Sequence, residues 1–121
     1  MAAAMLAGGA IAWVLATADA AASQERAPER REFAVTARSY AYQPARLEVL
    51  EGDIVRVTFR AEDIAHSFTI DAYRIAKRAP AGQSITFEFH ADQVGSFPIY
   101  CNLALDERCR DMHGELVVRR R

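Results

Sequence analysis

From Phe33 onward, apolar and polar side chains alternate with a period of two. The inward set reads Phe33, Val35, Ala37; then Leu47, Val49; Val55, Val57, Phe59; His66, Phe68, Ile70; Ile85, Phe87, Phe89; Phe97, Ile99, Cys101; and finally Leu116, Val118. A strand turns successive side chains to opposite faces, so each run predicts a half-buried strand, seven in all. Turn residues punctuate them: Pro44, Glu51-Gly52-Asp53, Pro80 to Gly82, Gly95 and Gly114. The Glu51-Gly52-Asp53 turn is short enough to join neighbouring antiparallel strands. Beyond the leader no long window sustains a helical period, and there are no internal repeats. Short strands with turn signals at this density predict an all-β sandwich of two sheets.

The chain before the first strand is of a different kind. "MAAAMLAGGAIAWVLATADAAA" carries one charged side chain, Asp19, and is followed by the polar run "SQERAPERRE". Residues 1–22 are expected to be a signal peptide, cut at Ala18-Asp19-Ala20 or Ala20-Ala21-Ala22, or a retained membrane anchor. Residues 23–31, charged and holding Pro28, read as a linker, and 32–121 as the domain. Either fate of the leader predicts a periplasmic or otherwise extracytoplasmic domain, with membrane contact only through an uncleaved N-terminal segment.

The full length of 121 residues suits one domain with its own core. Fifteen Lys and Arg against sixteen Asp and Glu leave a net charge of -1, which excludes a nucleic-acid footprint and gives no sign of a strongly anionic partner. Arg119, Arg120 and Arg121 are too few to alter that balance.

Candidate chemistry is concentrated near the C-terminus, where Cys101, Cys109, Met112 and His113 fall close together. His66 and Cys101 both lie on inward faces at strand ends. A single inward His or Cys is commonly a packing residue, so the constellation carries the argument. Copper that changes oxidation state is held by thiolate and imidazole with a weak thioether, because such a soft set serves both Cu(I) and Cu(II). Asp106, Glu107 and Asp111 alternate with Arg108 and Arg110 and read as a solvated rim, a plausible docking surface for a redox partner, not as paired catalytic carboxylates. With no phosphate loop and no nucleophile pattern either, the protein is expected not to be an enzyme. His90 has no thiol near it and is read as structural or exposed.

One His on a middle strand, with the other donors on the loop between the last two strands, resembles the cupredoxin arrangement. "YQPARLEVLEGDIVRVTF" looks like the start of such a domain. Within "DIAHSFTIDAYRI", Asp63, His66, Ser67 and Phe68 resemble the stretch of cytochrome c oxidase subunit II that carries the first His ligand of the dinuclear CuA centre. The resemblance implies a cupredoxin-like Greek-key β-sandwich. Its ligand loop has a Cys, a second Cys four residues on, a His eight on and a Met eleven on. Counting from Cys101 gives Leu105, Cys109 and Met112.

The frame is kept and its occupants differ. Leu105 replaces the second bridging thiolate, which argues against a dinuclear centre. His66, Cys101, Cys109 and Met112 are the expected ligands of a single copper ion, and two thiolates should lower its reduction potential. A shifted reading instead takes Cys101, Cys109 and His113 as ligands, from the Cys-x-x-x-His spacing. The expected function is electron transfer or copper handling with a redox or copper-handling protein partner. The alternative is a metal-free interaction module in which Cys101 and Cys109, brought together by the same frame, form a disulfide.

Overall fold

The computed structural model describes residues 28–121. The leader and most of the linker lie outside the described residues. Nine strands follow: β1 (Arg30–Arg38), β2 (Ala41–Gln43), β3 (Arg46–Leu50), β4 (Ile54–Ala61), β5 (His66–Ile70), β6 (Ile75–Ala79), β7 (Ser84–His90), β8 (Gly95–Tyr100) and β9 (His113–Arg119). They make one sheet of order β2-β1-β4-β7 and a second of order β3-β9-β8-β5-β6. The expected all-β sandwich is what the chain forms, and all seven expected strands are present.

Register follows the alternation. In parallel β1 and β4, Phe33 faces Val57, Val35 faces Phe59 and Ala37 faces Ala61. In parallel β3 and β9, Leu47 faces Leu116 and Val49 faces Val118. A slip of one residue would turn each of these sets to solvent, so the buried face fixes the register. Between the sheets, Phe59 of β4 meets Phe68 of β5 at 5.6 Å, and Phe68 meets Phe87 of β7 at 5.4 Å. Phe59 and Phe68 are wholly buried, and burial of such a side chain contributes about 1.5–3 kcal/mol.

Two strands were not expected. β2 is three residues long with one buried side chain, Tyr42, too short to show alternation. It is reached through a two-residue turn in which Ser39 and Tyr40 have φ of 52° and 62°. Such hairpin turns favour Gly or Asn, and neither is present to signal one. β6 reads Ile-Ala-Lys-Arg-Ala, with Lys77 between buried Ile75 and Ala79. The Lys77 ammonium lies 5.7 Å from the centre of the Phe87 ring, so a cation occupies a position where alternation asks for an apolar residue. β6 is also an edge strand, where a lysine guards against further pairing.

Two boundaries are corrected. β1 starts at Arg30, which pairs with Ile54, so the last residues assigned to the linker belong to the sheet. The Glu51-Gly52-Asp53 turn does not close a hairpin: β3 and β4 lie in different sheets, and the turn crosses between them. Gly52, at φ +94°, supplies the left-handed conformation the crossing requires. Asp53 is fully buried there. It accepts from the backbone N–H of Leu50 at 3.0 Å and of Glu29 at 3.1 Å, and from Arg31 at 3.1 Å. It also pairs with Arg121. One carboxylate thus clasps the first and last strands at this end of the sandwich.

Candidate metal centre

The opposite end gathers the expected donors. β1 and β4 finish there, with Ala37 beside Ala61. β5 starts there at His66, and β8 gives way to β9 where Tyr100 faces His113. The chain leaving β8 stays against β5, since the Asn102 N–H donates to Ser67 Oγ at 2.8 Å.

His66 is wholly buried, and its two ring nitrogens differ. Nε2 lies 2.7 Å from Oδ1 of Asp63. Nδ1 is buried and has no hydrogen-bonding partner. A buried nitrogen left so costs about 1–3 kcal/mol, which makes it the atom to explain. Asp63 is itself anchored: its Oδ2 accepts from Ser39 N–H at 2.7 Å and its Oδ1 from Ile64 N–H at 2.8 Å. The Ser39 N–H bond does most to hold its carboxyl well below the usual carboxylate range, against partial burial, and the bonds from His66 and Ile64 add to it. Tyr40 sets its ring edge-on to the imidazole, with centroids 5.8 Å apart.

The loop between β8 and β9 presents sulfur. Cys101 follows β8, and Cys109 sits in a short 3-10 turn over Glu107–Asp111, in which the Arg108 amide donates to the side chain of the capping Asp106 at 3.1 Å. Cys101 and Cys109 are joined as a disulfide, with Cα atoms 5.2 Å apart. They are 2% and 1% exposed, and Met112 is 0% exposed. Leu103 N–H points at the Cys109 sulfur at 3.1 Å. The loop is held to the β1–β2 turn by Tyr40, whose hydroxyl lies 3.2 and 3.1 Å from the two Asp106 oxygens and whose ring carries the Arg108 guanidinium at 4.3 Å. Burial, then the bond to Asp106 and its charge, push the Tyr40 phenol upward.

The four expected ligands therefore share one end of the sandwich and are all buried. In the form described here Cys101 and Cys109 make the disulfide of the alternative expectation, so that of these four side chains His66 Nδ1 and the Met112 thioether keep free donor atoms. Among the described residues, no group of three or more His, Cys, Asp or Glu side chains is set to hold a metal ion. In this state the donors do not fit a thiolate copper site, whereas with both sulfurs reduced they supply one imidazole, two thiolates and a thioether, a set that suits copper. His113 is exposed on β9, unlike the other four, and His90 is exposed at the end of β7, where it faces Ile54.

Three contributors carried little sequence signal. Asp63 stands in the family-like stretch around His66, yet nothing in that stretch announces its bond to the imidazole. Tyr40 and Ser39 approach the site only because of their unusual turn. Beside the loop, Ile64, Ala65, Leu103 and Ala104 line a groove of about 370 Å³, and Leu105 stands fully exposed at its edge.

A two-sheet sandwich with soft donors at one end, on a middle strand and on the last interstrand loop, is the architecture of small copper-protein domains. The chain belongs to the cupredoxin-like domain family, which it matches over residues 4–118. No curated protein gives a significant sequence match. Among solved structures it is similar to a chain of a heme-copper terminal oxidase dimer, with 15% identity, a TM-score of 0.64, 73% of this chain covered and 64% of that one. It is also similar to auracyanin A, a blue copper protein from Chloroflexus aurantiacus, with 15% identity, a TM-score of 0.62 and coverage of 74% and 98%. A third is the metal-binding domain of the Cu(I)-exporting P-type ATPase CopA of Streptococcus pneumoniae D39, with 14% identity, a TM-score of 0.61 and coverage of 74% and 85%. At these identities the likeness establishes the fold. The chain spans under two thirds of the oxidase chain's length.

Proposed function

We propose that this domain handles copper, binding one ion through His66, Cys101, Cys109 and Met112 once the Cys101–Cys109 disulfide is reduced. The observation that carries the reading is His66 Nδ1: buried, without a partner, and on the strand from which the family presents its first ligand. Reduction breaks the S–S bond, takes two electrons and two protons from a dithiol donor, and leaves that donor as a disulfide. The two thiols would release their protons to solvent as a copper ion is bound by the resulting thiolates, whose sulfurs are buried.

A site whose thiols can also bond to each other suits capture and release of copper better than a permanent electron-transfer centre. The loop spacing and the oxidase-like fold support kinship with the CuA domain, with Leu105 and Cys109 as the departures. The disulfide is consistent with an extracytoplasmic location, and the groove edged by Leu105 is a surface where a copper-handling partner could dock. The role is non-enzymatic.

The test is anaerobic Cu(I) titration of the reduced protein, together with a thiol count before reduction. One equivalent bound, and lost in C101S and in H66A, supports the reading. Absence of binding after full reduction overturns it. The second reading, a metal-free interaction module, is favoured by the burial of the disulfide. It predicts no free thiols before reduction and no bound metal after it.

A further inference from the structure

We infer that the seam between β5 and β8 is the part of the sandwich that opens to admit a dithiol to the buried Cys101–Cys109 disulfide. The purpose of that reduction rests on the copper reading above, whereas the opening is a property of the metal-free chain. Cys101 and Cys109 are 2% and 1% exposed, so the closed form keeps a reductant out. A dithiol has to bring one thiolate in line with the S–S bond and form a mixed disulfide with one cysteine while the other leaves as a thiolate. Its second thiol then displaces the first cysteine and closes the donor's own disulfide. Two electrons and two protons pass to the cysteines, and the donor is the oxidised product.

Among the described residues β5 and β8 pair in register at one position, where Thr69 faces Tyr100. By contrast β8 pairs with β9, and β5 with β6, along their whole lengths. The rungs on either side of Thr69 and Tyr100 are missing for local reasons. On one side stands Pro98, which has no N–H. Its opposite residue on β9, Glu115, donates its amide away from β8, to the Ala45 carbonyl at 2.8 Å. Pro98 is therefore in a pair whose backbone groups point outward, and its lacking donor falls on the β5 side. On the other side the Asn102 amide donates to the Ser67 hydroxyl at 2.8 Å and not to the Ser67 carbonyl, which accepts from the Tyr42 hydroxyl at 2.5 Å. A second side-chain tie, from the Tyr100 hydroxyl to Asp71 at 2.6 Å, is exposed. Sheets open first where few backbone bonds cross and exposed bonds stand in for them. His66 begins β5 and Cys101 follows β8, so parting this seam uncovers the sulfur pair from the side of the imidazole.

The test uses the oxidised full chain without metal, reduced by excess dithiothreitol in native buffer and in low urea, with the freed thiols trapped and counted over time. In the unaltered protein the rate should rise with urea far less steeply than global unfolding does, because parting one seam exposes little surface. S67A and Y100F, which each remove one tie across the seam, should speed reduction about 3- to 10-fold, as the loss of one hydrogen bond enlarges the open population. Y40F, which loosens the outer side of the loop, should have a smaller effect. A urea slope equal to that of global unfolding overturns the inference, and so does acceleration in Y40F with none in S67A or Y100F. Should S67A fail to fold, Y100F and the urea slope decide. Copper does not enter these rates, so a seam that opens as stated in a protein that binds no Cu(I) after reduction leaves this inference standing while the copper reading falls.

Discussion

The hydroxyl of Tyr40 lies 3.2 and 3.1 Å from the two carboxylate oxygens of Asp106, so a residue of the β1–β2 turn holds the cap of the loop that carries Cys109. The same ring edges against His66. Removing only the hydroxyl, in Y40F, keeps the ring contact and frees the loop. Hydrogen exchange of the amides from Leu103 to Met112 should accelerate by roughly fivefold at most, because a part-exposed hydrogen bond is weak. Unchanged exchange would show that Arg108 stacking alone suffices to hold the loop.

The Cys101–Cys109 disulfide closes a short loop of sequence separation 8. On the chain-entropy model such a closure stabilises by roughly 2–3 kcal/mol. The double variant C101S/C109S should lose about that amount in denaturant melts without reductant, and reductant should narrow the gap to the unaltered protein. A variant as stable as the oxidised protein would mean that the loop is held by its other contacts.

Asp53 should make stability depend on pH. Burial by itself would raise its carboxyl, but bonds from the Leu50 and Glu29 amides and from Arg31, with the Arg121 charge, hold it below its ordinary value. The folded state therefore binds this proton less readily than the unfolded chain. The stabilisation is complete above the unfolded-state value, about 3.9, and is lost as pH falls through the lower folded one. D53N should cost about 2–3 kcal/mol at neutral pH, less than a wholly buried pair because Arg31 is partly exposed. The difference between D53N and the unaltered protein should vanish in strong acid; a gap independent of pH would assign the effect to packing.

Gly114 sits where β9 begins, and a Cβ there would lie 2.9 Å from the Ala45 carbonyl oxygen and 3.2 Å from Ile99 Cβ. The first of these is backbone and cannot swing aside. G114A should therefore cost about 1–3 kcal/mol by prising apart the start of the β3–β9 pair, next to Met112. An equally stable G114A would show that β3 can shift at no cost.

Met112 is fully buried, and leucine has nearly its volume. M112L should cost under about 1.5 kcal/mol in fold stability. Under the copper reading it should nonetheless weaken Cu(I) binding by the reduced protein, separating the thioether's packing from its chemistry. Equal binding would remove Met112 from the ligand set.

The sandwich is legible in the chain's alternation alone, because a strand with one buried face must alternate. Runs such as Val55-Val57-Phe59 and Phe97-Ile99-Cys101 announce both the strand and its inward side. The spacing after Cys101 also brought His66, Cys101, Cys109 and Met112 to notice together. What alternation could not show were the strands that break it: β2, too short and reached through a turn without glycine, and β6, with Lys77 turned toward Phe87. That the turn after β3 crosses between sheets is visible only in the folded chain, since local sequence fixes a turn's shape and not which sheet receives the next strand. The meeting of Asp63 and Tyr40 with His66, and the bond between the two sulfurs, likewise come from the packed fold. Tyr40 reaches His66 from a distant segment, whereas Asp63 lies close to His66 in the chain and the two cysteines lie on one loop; all three contacts depend on loops whose shape exists only once both sheets have packed.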